Sequence, residues 1–178
     1  MKTFIAAISF GLIVGLIPAS PVNAAPYCGI TWGSLPKTAS DTGATEQMIT
    51  NVRTGRHDCY DRMVIDTTAS GTGYDVRYVS NVYADGSGQL IPLSGGAKLQ
   101  IVAQAPSYNP STGVPTYGGI TGNPLPGVNL AGYQTFRDAK FAGSFEGQST
   151  IGLGVRAQLP FRVMKFDNRV IVDVAHKW

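Results

Sequence analysis

Apolar residues come in short, often alternating runs over residues 48–53, 60–67, 74–83, 98–104, 133–141, 159–166 and 169–176, each rich in Val, Ile, Tyr or Phe. Alternation sends successive side chains to opposite faces of an extended chain, so these runs predict β-strands. Turn residues separate them. Gly71-Thr72-Gly73, Asp85-Gly86-Ser87-Gly88 and Gly95-Gly96 tolerate the backbone of tight reversals, and Asp167-Asn168 has the length of a two-residue hairpin turn. No segment carries a convincing apolar stripe at helical spacing, although a short helix is compatible with residues 45–50 or with the surroundings of Phe136. The fold class is mainly β, a single-domain β-sandwich of short antiparallel strands.

One pattern occurs twice. Arg62-Met63-Val64-Ile65-Asp66 returns as Arg169-Val170-Ile171-Val172-Asp173, three apolar residues between an arginine and an aspartate. Two copies suggest related halves, with ordinary strand composition as the alternative. On a strand Met63 and Ile65 share the face that enters the core, while Arg62, Val64 and Asp66 share the other, with the charges toward solvent. Arg62 and Asp66 lie about 13 Å apart along one strand, so their partners are expected on neighbouring strands.

Residues 106–132 interrupt the strand pattern with a long, nearly uncharged loop rich in proline and glycine. Such a length inside a compact domain is unusual and often functional. Its Tyr108 and Tyr117 either stack on sugars or cover the side of the sandwich, and the covering role is the plainer reading.

Lys2, the apolar stretch 4–17 and Val22-Asn23-Ala24 together describe a secretory signal peptide over residues 1–24. The stretch is short of the roughly 20 residues that a membrane span needs, and no later segment approaches that length. Residues 25–178 then form the mature chain, about 154 residues, the size of one domain. Its net charge of about two positive charges after loss of Lys2 is too small to point to nucleic acid.

Cys28 and Cys59 are the two cysteines, and in an exported chain the pair favours a structural disulfide. A metal site built from His57-Asp58-Cys59 with His176 is the competing reading, but one thiol and two imidazoles fall short of a closed zinc shell. No Gly-rich loop precedes a Lys-Ser or Lys-Thr pair, so no nucleotide is implied, and no cofactor is expected.

The run from Arg56-His57-Asp58-Cys59-Tyr60-Asp61-Arg62 through Met63-Val64-Ile65-Asp66, followed by Gly73-Tyr74-Asp75-Val76-Arg77-Tyr78-Val79, resembles secreted actinobacterial proteins with an AMIN-like domain. Gly143-Ser144-Phe145-Glu146-Gly147-Gln148, Gly152-Leu153-Gly154-Val155-Arg156 and Val172-Asp173-Val174-Ala175-His176 extend the likeness over nearly the whole of 25–178. The resemblance implies a β-sandwich. It also implies a non-catalytic envelope module, since better-known AMIN domains help target amidases and secretin systems, with peptidoglycan binding proposed. No amidase follows in this sequence, so binding is the part that carries over.

Catalysis has little behind it in the residues. Ser144 lies outside any Gly-x-Ser-x-Gly elbow, and a Ser144, His57 and Asp61 triad rests on free choice among scattered residues. Glu146 is the one candidate general acid, which would make the chain a small cell-wall hydrolase. The candidate ligand-binding residues are Arg53, Arg56, Tyr60 and Arg62, an arginine-aromatic cluster around Cys59. Guanidinium engages a carboxylate with two parallel hydrogen bonds, which suits the stem peptides of peptidoglycan. A solvated sheet edge protected by charge is the structural alternative. The expected partner is a cell-wall glycan or peptide, or else an envelope protein.

Overall fold

The computed structural model describes residues 26–43 and 46–178. The signal peptide expected over residues 1–24 lies outside the described residues. Among the described residues eleven strands form: β1 (Lys37–Ala39), β2 (Ile49–Arg56), β3 (Tyr60–Thr67), β4 (Tyr74–Val79), β5 (Val82–Tyr83), β6 (Leu90–Ile91), β7 (Ala97–Ala103), β8 (Phe136–Phe145), β9 (Gln148–Val155), β10 (Phe161–Phe166) and β11 (Arg169–Ala175). The helical structure among the described residues is a single 3₁₀ turn at Tyr27–Gly29, so neither helix allowed by the sequence forms there: Ile49 opens β2 and Phe136 opens β8. No helix among the described residues is long and apolar enough to cross a membrane.

Alternation builds two antiparallel sheets with one apolar face each, and burying those faces against each other makes the predicted sandwich. One sheet has the order β10-β11-β3-β2 and the other β1-β4-β7-β9-β8. Met63, Ile65, Phe161, Val170, Val172 and Val174 from the first meet Val76, Leu99, Ile101, Ile151, Leu153 and Val155 from the second in one core. Fully burying such a side chain contributes about 1.5–3 kcal/mol. Met63 and Ile65 point inward as the cassette predicts.

The two cassettes are neighbours. β3 and β11 run antiparallel with Arg62 opposite Asp173, Val64 opposite Ile171 and Asp66 opposite Arg169, so a local two-fold axis passes near Val64 and Ile171. The relation covers the hairpins β2–β3 and β10–β11. It does not divide the molecule into related halves, because β4, β7, β8 and β9 all lie between those hairpins and β1 precedes them.

Three predicted strands change their limits for local reasons. Residues 74–83 break at Ser80-Asn81 into β4 and β5, and β5 pairs with β6 in a small separate sheet. The 133–141 strand begins at Phe136, because the amides of Thr135 and Phe136 donate to the Asp61 carboxylate. β2 continues to Arg56, carried by its pairing with β3. β9 is an addition: Gly152 and Gly154 blur its pattern in the sequence, yet both sit where a neighbour comes close. A Cβ on Gly152 would stand 2.7 Å from Leu93 Cδ1, and one on Gly154 would stand 1.9 Å from the Ser94 carbonyl oxygen.

The 106–132 loop lies along β8. Gly122 N–H donates to the Phe141 carbonyl, Phe141 N–H to the Asn123 carbonyl and Leu125 N–H to the Ala139 carbonyl, which closes that sheet edge. Tyr117 is buried edge-on against Phe141 at 5.7 Å between ring centres, so it covers the sandwich.

Candidate functional site

The outer face of the four-stranded sheet carries what the cassettes leave over. Alternation puts Tyr60, Arg62, Val64 and Asp66 of β3 beside Arg169, Ile171 and Asp173 of β11, with Arg53 from β2 and Arg162 from β10 at the sides. Each cassette aspartate draws on two arginines, one from the other cassette and one from a flanking strand.

Asp173 is fully buried by this arrangement. Arg62 donates through Nε and Nη2 to its two oxygens at 2.6 and 2.9 Å, and Arg162 Nε donates to Oδ2 at 2.8 Å. The hydrogen bond to Asp173 raises the Arg62 pKa above its ordinary value, so this guanidinium stays charged. Aromatic rings close the pair from above. Tyr60 lies 5.2 Å from the Arg62 guanidinium carbon, and Arg162 lies 5.3 Å from Tyr60 and 5.5 Å from Trp32. Cation-π contact of this kind favours the charged side chains where water is partly excluded.

The second unit is open. Arg53 donates to both oxygens of Asp66 at 2.8 and 3.0 Å, and Arg169 Nε approaches Asp66 Oδ1 at 3.4 Å. Arg53 and Arg169 are 49% and 41% exposed, against 24% and 26% for Arg62 and Arg162. A groove of about 270 Å³ lies here, with Arg53, His57, Arg62 and Arg169 around Val64 and Ile171.

The disulfide positions the aromatic cover. Cys28 and Cys59 are bridged, as the sequence predicts, which holds the N-terminal segment against the start of β3. Four residues beyond Cys28, Trp32 tilts over Tyr60 with 5.9 Å between ring centres, and Gly33 pairs with Phe161 at the β10 edge. The bridge also consumes the thiol that a His57-Asp58-Cys59 metal site requires.

Of the four residues singled out in the sequence, Arg53, Tyr60 and Arg62 share the outer face. Arg56 turns away from it into a separate cleft of about 310 Å³ at the end of the sandwich, lined also by Asp58, Asp61, Gly132, Gln134 and His176. Below that cleft the buried Asp61 carboxylate accepts the amides of Thr135 and Phe136 at 2.6 and 3.0 Å. His176 Nε2 stands 3.1 Å from its other oxygen, and His176 Nδ1 donates to the Asp58 carbonyl at 3.2 Å. Asp61 therefore pairs with His176 and not with His57, which stacks on Tyr60 at 4.5 Å between ring centres. Ser144 sits near the far end of β8, accepting from the Ser107 amide and donating to the Gln148 carbonyl. The Ser144-His57-Asp61 combination is not assembled, and Glu146 occupies the exposed turn between β8 and β9.

Arg162, Arg169, Asp173 and Trp32 complete the face, and the sequence pattern does not by itself mark them as site residues. A signal existed for Arg169, because it repeats Arg62 in the second cassette. Trp32 had only its closeness in sequence to Cys28.

The same region carries the kinship of the chain. No curated protein and no solved structure matches it. The family model described as AMIN-like domain matches residues 47–176, from the buried Gln47 through both cassettes to the buried His176. The N-terminal segment with Cys28 and Trp32 stands outside that match. With most of its length covered, the chain belongs to the AMIN-like domain family and is a cell-envelope-related module.

Proposed function

We propose that the chain is a secreted, non-catalytic module that binds peptidoglycan or another cell-wall component through the outer face of its four-stranded sheet. The observation that carries this reading is the open Arg53-Asp66-Arg169 unit beside the aromatic-covered Arg62-Asp173-Arg162 unit. Four guanidiniums share two carboxylates there, which leaves an excess of two positive charges on a face bordered by Tyr60 and Trp32. Guanidinium forks suit carboxylates, and the half-buried rings of Tyr60 and Trp32 offer apolar surface to the faces of sugars. The disulfide is consistent with an extracytoplasmic location. The non-catalytic part draws support from Asp61, whose carboxylate is engaged by two backbone amides and His176, and from the exposure of Glu146 at a hairpin tip.

Co-sedimentation of the full chain with purified insoluble cell wall tests the reading. Binding at low salt that weakens as salt rises is the expected result, since exposed charges are screened beyond about 10 Å at 0.1 M ionic strength. Absence of co-sedimentation at low salt rejects wall binding.

A further inference from the structure

The two arginine-aspartate units are chemically alike and differently completed. At Asp173 both arginines have an oxygen to bond and rings above them. At Asp66 the fork of Arg53 takes both oxygens. Arg169, directly opposite Asp66, makes no side-chain hydrogen bond among the described residues: its enclosed Nε stands 3.4 Å from Asp66 Oδ1, an ion pair outside hydrogen-bond geometry. The exposed remainder of that guanidinium lines the groove without a hydrogen bond to the chain, so an incoming anion meets donors that no residue already holds.

The groove beside Arg169 supplies the rest of a recognition site. Its floor is Val64 and Ile171, at the local two-fold axis, with Arg62 on one side and Arg53 and Arg169 on the other. Met164 faces Ile171 across the β10–β11 pairing, and Phe166, 60% exposed, faces Arg169. Cationic walls over an apolar floor favour an oxyanion borne on a short apolar stem, because the charged end meets N–H donors while the stem covers Val64 and Ile171.

We propose that this groove is an oxyanion site, with Arg169 as its main donor, for a carboxylate or phosphate carried on a small apolar group. The proposal rests on the wall-binding reading for its biological source, and its chemistry stands separately. Titration calorimetry of the full chain with N-acetyl-alanylalanine, the amide of that peptide and glycerol 3-phosphate tests it. The free acid is expected to bind, and the amide about tenfold or more weakly, the scale of one hydrogen bond to a charged group. Arg169→Gln is expected to weaken the acid by a similar factor. Ile171→Glu, which leaves every guanidinium in place and supplies an internal carboxylate, is expected to do the same, with circular dichroism confirming that both variants fold.

Tighter binding of the acid identifies a carboxylate source and tighter binding of glycerol 3-phosphate a phosphate source; either supports the site. Equal affinity for acid and amide, no binding of any probe, or unchanged affinity in both folded variants overturns it. Undiminished wall sedimentation of Ile171→Glu overturns the groove as the wall contact while leaving wall binding intact. Probe binding without wall sedimentation does the reverse.

Discussion

At the scale of single residues, the balance between carboxylates and guanidiniums decides what the outer face is for. Asp173 is saturated and dry, so Arg62 and Arg162 serve mainly to hold β3, β10 and β11 in register. Asp66 takes the fork of one arginine and holds the other only as a 3.4 Å ion pair without hydrogen-bond geometry. The core contains a different kind of titratable group. Burial pushes the hydroxyls of Tyr78 and Tyr117 up to about 12 from an ordinary value of 10.0. The folded chain therefore keeps both protons at a pH where the unfolded chain gives them up. Unfolding then releases protons, and stability must fall as pH rises from about 10 to about 12, being fully present below that window. Denaturant midpoints at pH 9 and pH 11 check this, and Tyr78→Phe is expected to flatten the fall. At neutral pH the same substitution costs about 1 kcal/mol, because Tyr78 donates to the Leu159 carbonyl at 2.6 Å.

At the scale of elements, strands built from β-branched and aromatic residues declared themselves through alternation, and β3 and β11 fall at or near their expected limits. β9 did not, since Gly152 and Gly154 read as turn residues and lower strand propensity. Their reason is lateral: the segment around Leu93 and Ser94 crosses β9 too closely for a side chain. Gly154→Ala would set a methyl 1.9 Å from a backbone carbonyl oxygen, so something must shift. A loss of about 2 kcal/mol or more is expected from thermal or denaturant unfolding. Gly118→Ala, with open space around the new methyl, is expected to stay within about 0.5 kcal/mol of the parent. Equal costs at the two positions would reject the close-approach account.

At the scale of the whole molecule, the Cys28–Cys59 bridge joins a segment outside the family match to the face within it. It spans 31 residues, and the chain-entropy model gives a closure of that length about 3.7 kcal/mol of stability. Reduction, or Cys28→Ser with Cys59→Ser, is expected to lower unfolding free energy by about that amount. It should also loosen Trp32 from Tyr60 and Arg162, which fluorescence reports once the second tryptophan is removed by Trp178→Phe. An unchanged Trp32 signal after reduction would mean that the Gly33–Phe161 pairing holds the segment by itself. The sequence by itself determined the β class, the inward face of each cassette and the disulfide. Those follow from the two-residue period of an extended chain and from the presence of only two cysteines. Only the tertiary structure decided that Arg62 meets an aspartate 111 residues away, that Asp61 belongs to His176, and that Arg56 leaves the face which Arg53 shares with Arg62. The physical reason is that alternation specifies which face a side chain takes, whereas its neighbours across the sheet depend on which strands pair, and that is settled by burying two whole sheets against each other.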